Sequence, residues 1–412
     1  MSRHLVRTGP SNSQWINTFN CWKVLWHVYR SKILVVARST TAHHLAGGME
    51  SAYEGVVAAL KEHGFRVSLL TTSGYDRAAL PSGYENVWEI TSHRPGRYSF
   101  KWWLNTFRSR AEWMRWQPDL IFSVSSSAGG MALIRDRSIP VIAQSHGTAW
   151  AEICSSLVTI RPREWIKIPL NLSRIPRELL TYHTCNKVVA IGSAVEAQLS
   201  GNPNHVSRNR ITTIPNGVDI NRWSFDAEAR MRVRAHYGIH NKSCVGIFSG
   251  RLHPQKGADI VLAAMARSCQ PVDSQLFICG EGPQRSLLER RVKELHLEGR
   301  VHFTGRLPSS SLREVMSASD VLLFPTRRRE GLPLSLLEAS SNGLPIITVP
   351  NANVPDEFGD QAVIVNGTSD ALARAWSAVR IEENRESKLP YLFSTEGSHR
   401  SYIDLFQHSL KG

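Results

Sequence analysis

Ten short apolar runs punctuate the chain, and the segments between them carry hydrophobic positions at helical spacing. In the first half the runs are KILVVAR (32–38), VSLLTT (67–72), LIFSVS (within 119–125), PVIAQSH (140–146) and KVVAIG (187–192). In the second half they are CVGIFSG (244–250), QLFICG (275–280), VHFTG (301–305), VLLFPT (321–326) and PIITVP (345–350). They are nearly continuous in apolar residues and do not alternate, as strands buried on both faces of a parallel sheet do. Strand–helix alternation requires right-handed crossovers, so the pattern predicts an α/β chain of two successive doubly wound halves. The seam between them is expected in the turn-rich, charged stretch from about 205 to 243.

Both ends depart from that pattern. In SQWINTFNCWKVLWHVYRSK, Trp15, Ile16, Phe19, Trp22, Leu25, Trp26 and Tyr29 recur at three- and four-residue steps, flanked by Lys23, Arg30 and Lys32. An interfacial amphipathic helix has this form, with Trp at headgroup level. A helix packed on the protein body and an unordered extension are the alternatives. At the other end, Tyr402, Ile403 and Phe406 share a helical face behind a capping-type Ser394-Thr395-Glu396. A lone helix of that length is marginal in water, so it is expected to dock on the protein.

Composition narrows the class. A chain of 412 residues is long for one core and points to two domains. With 42% apolar and 20% charged residues it is globular. No apolar stretch reaches the ~18 residues of a spanning helix, and no signal-peptide layout is visible. The six cysteines are scattered with no C-x-x-C pair, which argues against a zinc site or a disulfide framework and fits a reducing cytosol. The net charge of +14 suggests polyanionic partners. No nucleic-acid-binding motif accompanies it, so phosphate substrates and an anionic membrane surface are the better reading.

In open parallel sheets, ligands bind beyond the carboxyl ends of the strands. After the first run, Gly47-Gly48 precede a helix expected to start near Glu50, a ready anion site, although most such glycine pairs are only turns. His146 stands at the end of its run; an isolated histidine there is more often structural. Arg251 and Lys256 share the short loop of FSGRLHPQKG, where two cations can clamp a diphosphate or simply be solvated. CGEGP, FTGRLP, LFPTRRREGLPLSLLEA and VPNANVPDE follow the next four runs. Taken singly, Glu330 and Glu338 read equally as one split site or as two surface acids. The convergence of polar groups and Gly or Pro turns at five successive strand ends is harder to explain as packing.

These loops carry a signature. AGGME (46–50), IPNGVD (214–219), SGRLHPQKG (249–257), CGEGPQRSLLE (279–289), VHFTGRLP (301–308), SASDVLLFPT (317–326) and EGLPLSLLE (330–338) occur in order across nearly the whole chain. In this set the sequence resembles the retaining glycosyltransferases of family 4, which have the GT-B fold. The resemblance implies two Rossmann-like domains facing a central cleft. An acceptor domain would span 32–210, with a C-terminal helix over 394–412 crossing back to it, and a nucleotide-sugar donor domain would span 211–393. Residues 1–31 would form an N-terminal extension.

The resemblance also implies roles. Arg251 and Lys256 would hold the donor diphosphate, and Glu338 the ribose hydroxyls. Glu330, with the backbone of Gly331 and Leu332, would contact the donor sugar. Arg306 and Leu307 would lie beside the base, Gly48 would touch the phosphates from the opposite domain, and His146 would sit near donor sugar and acceptor. No metal and no cofactor beyond the nucleotide-sugar co-substrate (a UDP- or GDP-sugar) is expected, and no Asp-x-Asp motif is present. The expected acceptor is a lipid-linked or growing surface polysaccharide, the expected place the cytoplasm, with the inner face of the cell membrane as a peripheral site. One departure stands out: VPNANVPDE lacks the glycines many relatives carry there.

Three rival classes differ from this expectation. A dinucleotide oxidoreductase should show Gly-x-Gly-x-x-Gly after its first strand, and KILVVAR is not followed by one. A phosphorylase or epimerase of the same fold is closer, since fold alone does not fix function. A non-catalytic basic binding protein explains the charge but not the ordered loops.

Overall fold

Seven parallel strands form one sheet and six form a second, as the near-continuous apolar runs predict. The first contains β1 (Lys32–Val36), β2 (Arg66–Thr72), β3 (Val87–Ile90), β4 (Leu120–Val124), β5 (Val141–Ser145), β6 (Lys187–Ala190) and β7 (Ile211–Thr213). The second contains β8 (Val245–Ser249), β9 (Gln275–Cys279), β10 (Val301–Gly305), β11 (Val321–Phe324), β12 (Ile346–Thr348) and β13 (Ala362–Ile364). The computed structural model describes residues 30–44, 47–91, 100–132, 138–158, 168–267 and 273–411. The tryptophan-rich arm, through Tyr29, lies outside the described residues.

The strand orders are β3-β2-β1-β4-β5-β6-β7 and β10-β9-β8-β11-β12-β13. Each reverses direction once, between β1 and β4 and between β8 and β11, and such a switch point is where an open α/β sheet opens a crevice for ligands. All ten expected strands are present. The three additional ones, β3, β7 and β13, are all sheet edges.

Contacts divide the chain into two compact units, residues 1–142 with 403–412, and residues 143–402. In the first, Ile33 to Val36 of β1 are wholly inaccessible. The helix Gly48–Glu62 lays Tyr53, Val56, Val57 and Leu60 inward. Its start is held by Glu50, whose carboxylate accepts the Gly47 N–H at 2.9 Å, so it begins two residues earlier than expected. Phe406 packs edge-on to Phe122 with ring centroids 5.2 Å apart.

In the second unit, Phe248, Leu262, Ile278, Leu323 and Trp376 anchor an apolar cluster around β8, β9 and β11. Beside it lies a buried charge network. Asp320 is wholly inaccessible and binds Arg230 at 2.6 Å and Arg234 at 2.7 Å. It also accepts the Val245 N–H at 2.8 Å. This ties the helix Ala227–His236 to the start of β8. The chain preceding the C-terminal helix (Thr395–Lys411) is pinned by Val218, which donates to the Phe393 carbonyl at 3.0 Å and accepts from Thr395 at 2.9 Å.

Candidate functional site

The switch point of the second sheet places the loop after β8 beside the loop after β11. At the first, Pro254–Lys256 form a single 3-10 turn, opened by His253, whose Nδ1 accepts the Gln255 N–H at 3.3 Å. Gly257 ends the turn with φ 78°, and a Cβ there would stand 2.1 Å from the Pro325 carbonyl oxygen. Only glycine permits that left-handed, close approach. The turn therefore presses against the end of β11, and Lys256 Nζ reaches Glu330 Oε1 at 2.7 Å. The ammonium also lies 5.6 Å from the Phe324 ring centroid.

Glu330 is 8% exposed and is held from several directions. Thr326 Oγ1 stands 2.8 Å from Oε1 of Glu330. The Glu330 N–H donates to the Asn351 carbonyl at 2.9 Å, and its own carbonyl accepts from the Asn353 side-chain amide. The loop VPNANVPDE, which lacks the glycines many relatives carry, thus fixes the peptide of Glu330 through the Asn351 carbonyl and the Asn353 amide.

Gly331 continues this close packing. A Cβ on it would lie 2.9 Å from Val195 Cγ2 and 3.2 Å from the His146 carbonyl oxygen. His146 follows β5, and its Nε2 is 3.0 Å from Gln144 Oε1. Leu332 is buried beside Gly331. The structure therefore gathers Lys256, Glu330, Gly331 and His146 into one place. Around them two of the three arginines are engaged through their side chains and the third through its peptide. Arg327 binds Asp259 through two contacts of 2.8 Å, Arg328 binds Glu152 at 2.6 Å, and the Arg329 N–H donates to Ser155 at 3.1 Å.

The remaining expected positions differ in burial. Arg251 is exposed on the same loop as Lys256. Arg306 is exposed after β10, and Leu307 lines a cleft of about 280 Å³ with Arg232, Tyr237, Ser311 and Val315. Glu338 lies in the helix Leu334–Ser341, partly buried. Burial pushes its carboxyl up to about 7, opposed in part by the positive charge of Arg222. No hydrogen bond or ion pair among the described residues joins Arg251, Arg306 or Glu338 to the quartet. Gly48 opens its helix in the first unit.

Sequence reading missed Thr326, Asn351, Asn353 and Gln144. The one available signal was Gln144, a polar residue in an otherwise apolar strand, which demands a partner when buried. Chemically, the arrangement offers an ammonium preset by a carboxylate and approachable backbone at a switch point. Those are the elements that receive and stabilise a phosphorylated leaving group.

The family model described as Glycosyltransferase Family 4 matches residues 46–222, and that described as Glycosyl transferases group 1 matches residues 230–389. Among curated proteins, the chain is 34% identical over 172 residues to a GDP-mannose-dependent alpha-(1-6)-phosphatidylinositol monomannoside mannosyltransferase of Mycolicibacterium smegmatis, covering 39% of this chain and 45% of that protein. It is 28% identical over 184 residues to mannosylfructose-phosphate synthase of Agrobacterium fabrum, covering 42% of this chain and 40% of that one. The chain spans about half the length of the curated relatives it matches. Its fold is similar to that of sucrose-phosphate synthase from Thermosynechococcus elongatus, with TM-score 0.72 and 20% identity over 92% of this chain and 99% of that one. It is also similar to Anabaena HepE in complex with UDP-glucose, with TM-score 0.65 and 18% identity over 92% and 98%. The fold is GT-B.

Proposed function

This chain belongs to glycosyltransferase family 4, and from that premise we propose that it transfers a hexose from a nucleotide-sugar to an acceptor hydroxyl with retention of anomeric configuration. The observation that carries the reading is the Lys256–Glu330 pair at 2.7 Å, set at the switch point of the second sheet with Gly331 packed against His146.

Departure of a nucleoside diphosphate concentrates negative charge on the β-phosphate. A fixed ammonium at Lys256, joined by Arg251 on the same loop, stabilises that charge as it develops, so the reaction needs no metal. Glu330 and the peptides of Gly331 and Leu332 face the donor sugar, and Glu338 accepts from the ribose hydroxyls. Arg306 and Leu307 flank the base. As the anomeric carbon–phosphate oxygen bond breaks, the acceptor oxygen bonds the same face of a short-lived oxocarbenium-like sugar. The acceptor proton passes to the departing phosphate.

The donor is a UDP- or GDP-sugar. GDP-mannose is the first to assay, because several relatives similar in sequence are named as GDP-mannose-dependent. The acceptor is a lipid-linked or growing surface polysaccharide, met at the inner face of the membrane. No described helix is long and apolar enough to cross one. The test is nucleoside diphosphate release from a nucleotide-sugar panel by the wild type, Lys256→Ala and Glu338→Ala. Loss of the lysine should lower kcat by about 10²–10³-fold, the cost of removing a preorganised charge stabiliser. Full turnover in either folded variant sinks the assignment.

A further inference from the structure

β5 reads Val-Ile-Ala-Gln-Ser, and Gln144 is 1% exposed within it. A buried amide without partners is costly, so a glutamine here needs a reason. Its two ends have one each. Nε2 donates to the Tyr402 hydroxyl at 2.7 Å, and Oε1 lies 3.0 Å from His146 Nε2. Side chains two residues apart on an extended chain project from the same face, which is why Gln144 meets His146. Tyr402 is itself 1% exposed, on the C-terminal helix, 258 residues along the chain from Gln144.

We propose that Gln144 and Tyr402 form a positioning relay that holds the His146 imidazole in one orientation and in its Nε2–H tautomer. The buried phenol accepts from the amide nitrogen, and that contact turns the amide oxygen toward the ring. A carbonyl oxygen only accepts, so Nε2 carries the proton and Nδ1 becomes the lone-pair nitrogen. The His146 backbone already abuts Gly331 beside Glu330, so the relay fixes an imidazole at the edge of the quartet. Burial raises the Tyr402 phenol well above its ordinary range, which keeps this anchor neutral. The catalytic consequence rests on the glycosyl-transfer reading; the tautomer does not.

The experiment records long-range ¹⁵N–¹H spectra of histidine-labelled full-length protein, with His146→Ala assigning the signal, beside steady-state kinetics. The wild type should show His146 as Nε2–H. Gln144→Leu should give mixed tautomers and lower kcat by about ten- to a hundredfold, the scale of a small misplacement, while donor KM stays within about twofold. Gln144→Glu still offers an accepting oxygen and should keep the tautomer, and Tyr402→Phe should loosen it partially. If Gln144→Leu does not fold, Tyr402→Phe carries the test. A wild-type Nδ1–H ring, or a tautomer unaltered in both Gln144→Leu and Tyr402→Phe, overturns the relay. Spectra that respond as stated in a wild type that transfers no sugar uphold the relay and overturn only the transferase reading.

Discussion

Glu338→Gln isolates the energetic consequence of placing a carboxyl where water is largely withdrawn. Burial carries this group from 4.5 to about 7, and Arg222 recovers only part of the loss. Between those values the native chain retains a proton that the unfolded chain releases. Stability contributed by the neutral acid is therefore full below about pH 4.5 and is lost as pH rises through about 7. At about 1.4 kcal/mol per pH unit the ceiling is about 3 kcal/mol. The side chain is partly exposed, so solvent screening reduces this to about 1–2 kcal/mol. Glutamine stays neutral throughout. Melting curves should nearly coincide at pH 4.5, whereas at pH 8.5 the variant should melt about 2–6 °C higher, at a few degrees per kcal/mol. Titration with a nucleoside diphosphate gives the functional counterpart: affinity of the wild type rises from pH 6 to pH 8 as the carboxylate forms, and that of Glu338→Gln stays flat. A melting difference of equal size at both pH values would refute the desolvation argument.

Two other perturbations probe the scaffold. Asp320→Ala strands the Arg230 and Arg234 guanidiniums without a counter-charge in the interior, and breaking one side of such a buried network costs about 3–5 kcal/mol, measurable as a lowered denaturant midpoint. Gly257→Ala sets a Cβ against the Pro325 carbonyl at φ 78°, so the turn bearing Lys256 must shift; nucleoside diphosphate affinity should fall at least about tenfold by calorimetry, with far-UV circular dichroism unchanged. Unaltered affinity would mean that the turn is not what positions the lysine.

The interior of the fold was legible because its chemistry is repetitive. A central strand of a parallel sheet is covered on both faces, so β1, β4, β5, β8 and β11 announce themselves as apolar runs. β3, β7 and β13 lie at sheet edges, where one flank lacks a partner strand and the covering is thinner. Val-Trp-Glu-Ile, Ile-Thr-Thr and Ala-Val-Ile are short and only partly buried, and none forms a run that stands out from a loop. The site divides along a similar line. Lys256 and Glu330 belong to contiguous motifs with fixed spacing. The groups that hold the site do not: Asn351 and Asn353, which fix the Glu330 peptide, come from another strand end, and Gln144 beside His146 meets Tyr402 across 258 residues. Such partners leave no local periodicity. Their trace is the polar residue that a buried position would otherwise exclude.

The basic run Arg327-Arg328-Arg329 shows why spacing informs more than charge. On the page of the sequence, three cations next to Glu330 suggest a field for a diphosphate. In the structure, Arg327 presents its fork to both oxygens of Asp259 and also donates to the Pro254 carbonyl at 2.8 Å, so its charge is matched and its geometry is spent on bracing the Lys256 turn. Arg328 is matched by Glu152, and the Arg329 peptide bonds Ser155, both on the helix Ala149–Val158 that follows His146. The run therefore acts mainly as a set of ties that hold the Glu330 loop to the His146 side of the site. Paired charges cancel at a distance, so Arg327 and Arg328 add little to the positive potential, whereas Arg251 and the Arg329 side chain stand exposed. Lys256 is itself paired with Glu330, at 2.7 Å. On the proposed function, binding a diphosphate would exchange one anionic partner for another, so the ammonium would never be left without a counter-charge. The carboxylate it releases stands next to Gly331, at the end of the site assigned to the sugar.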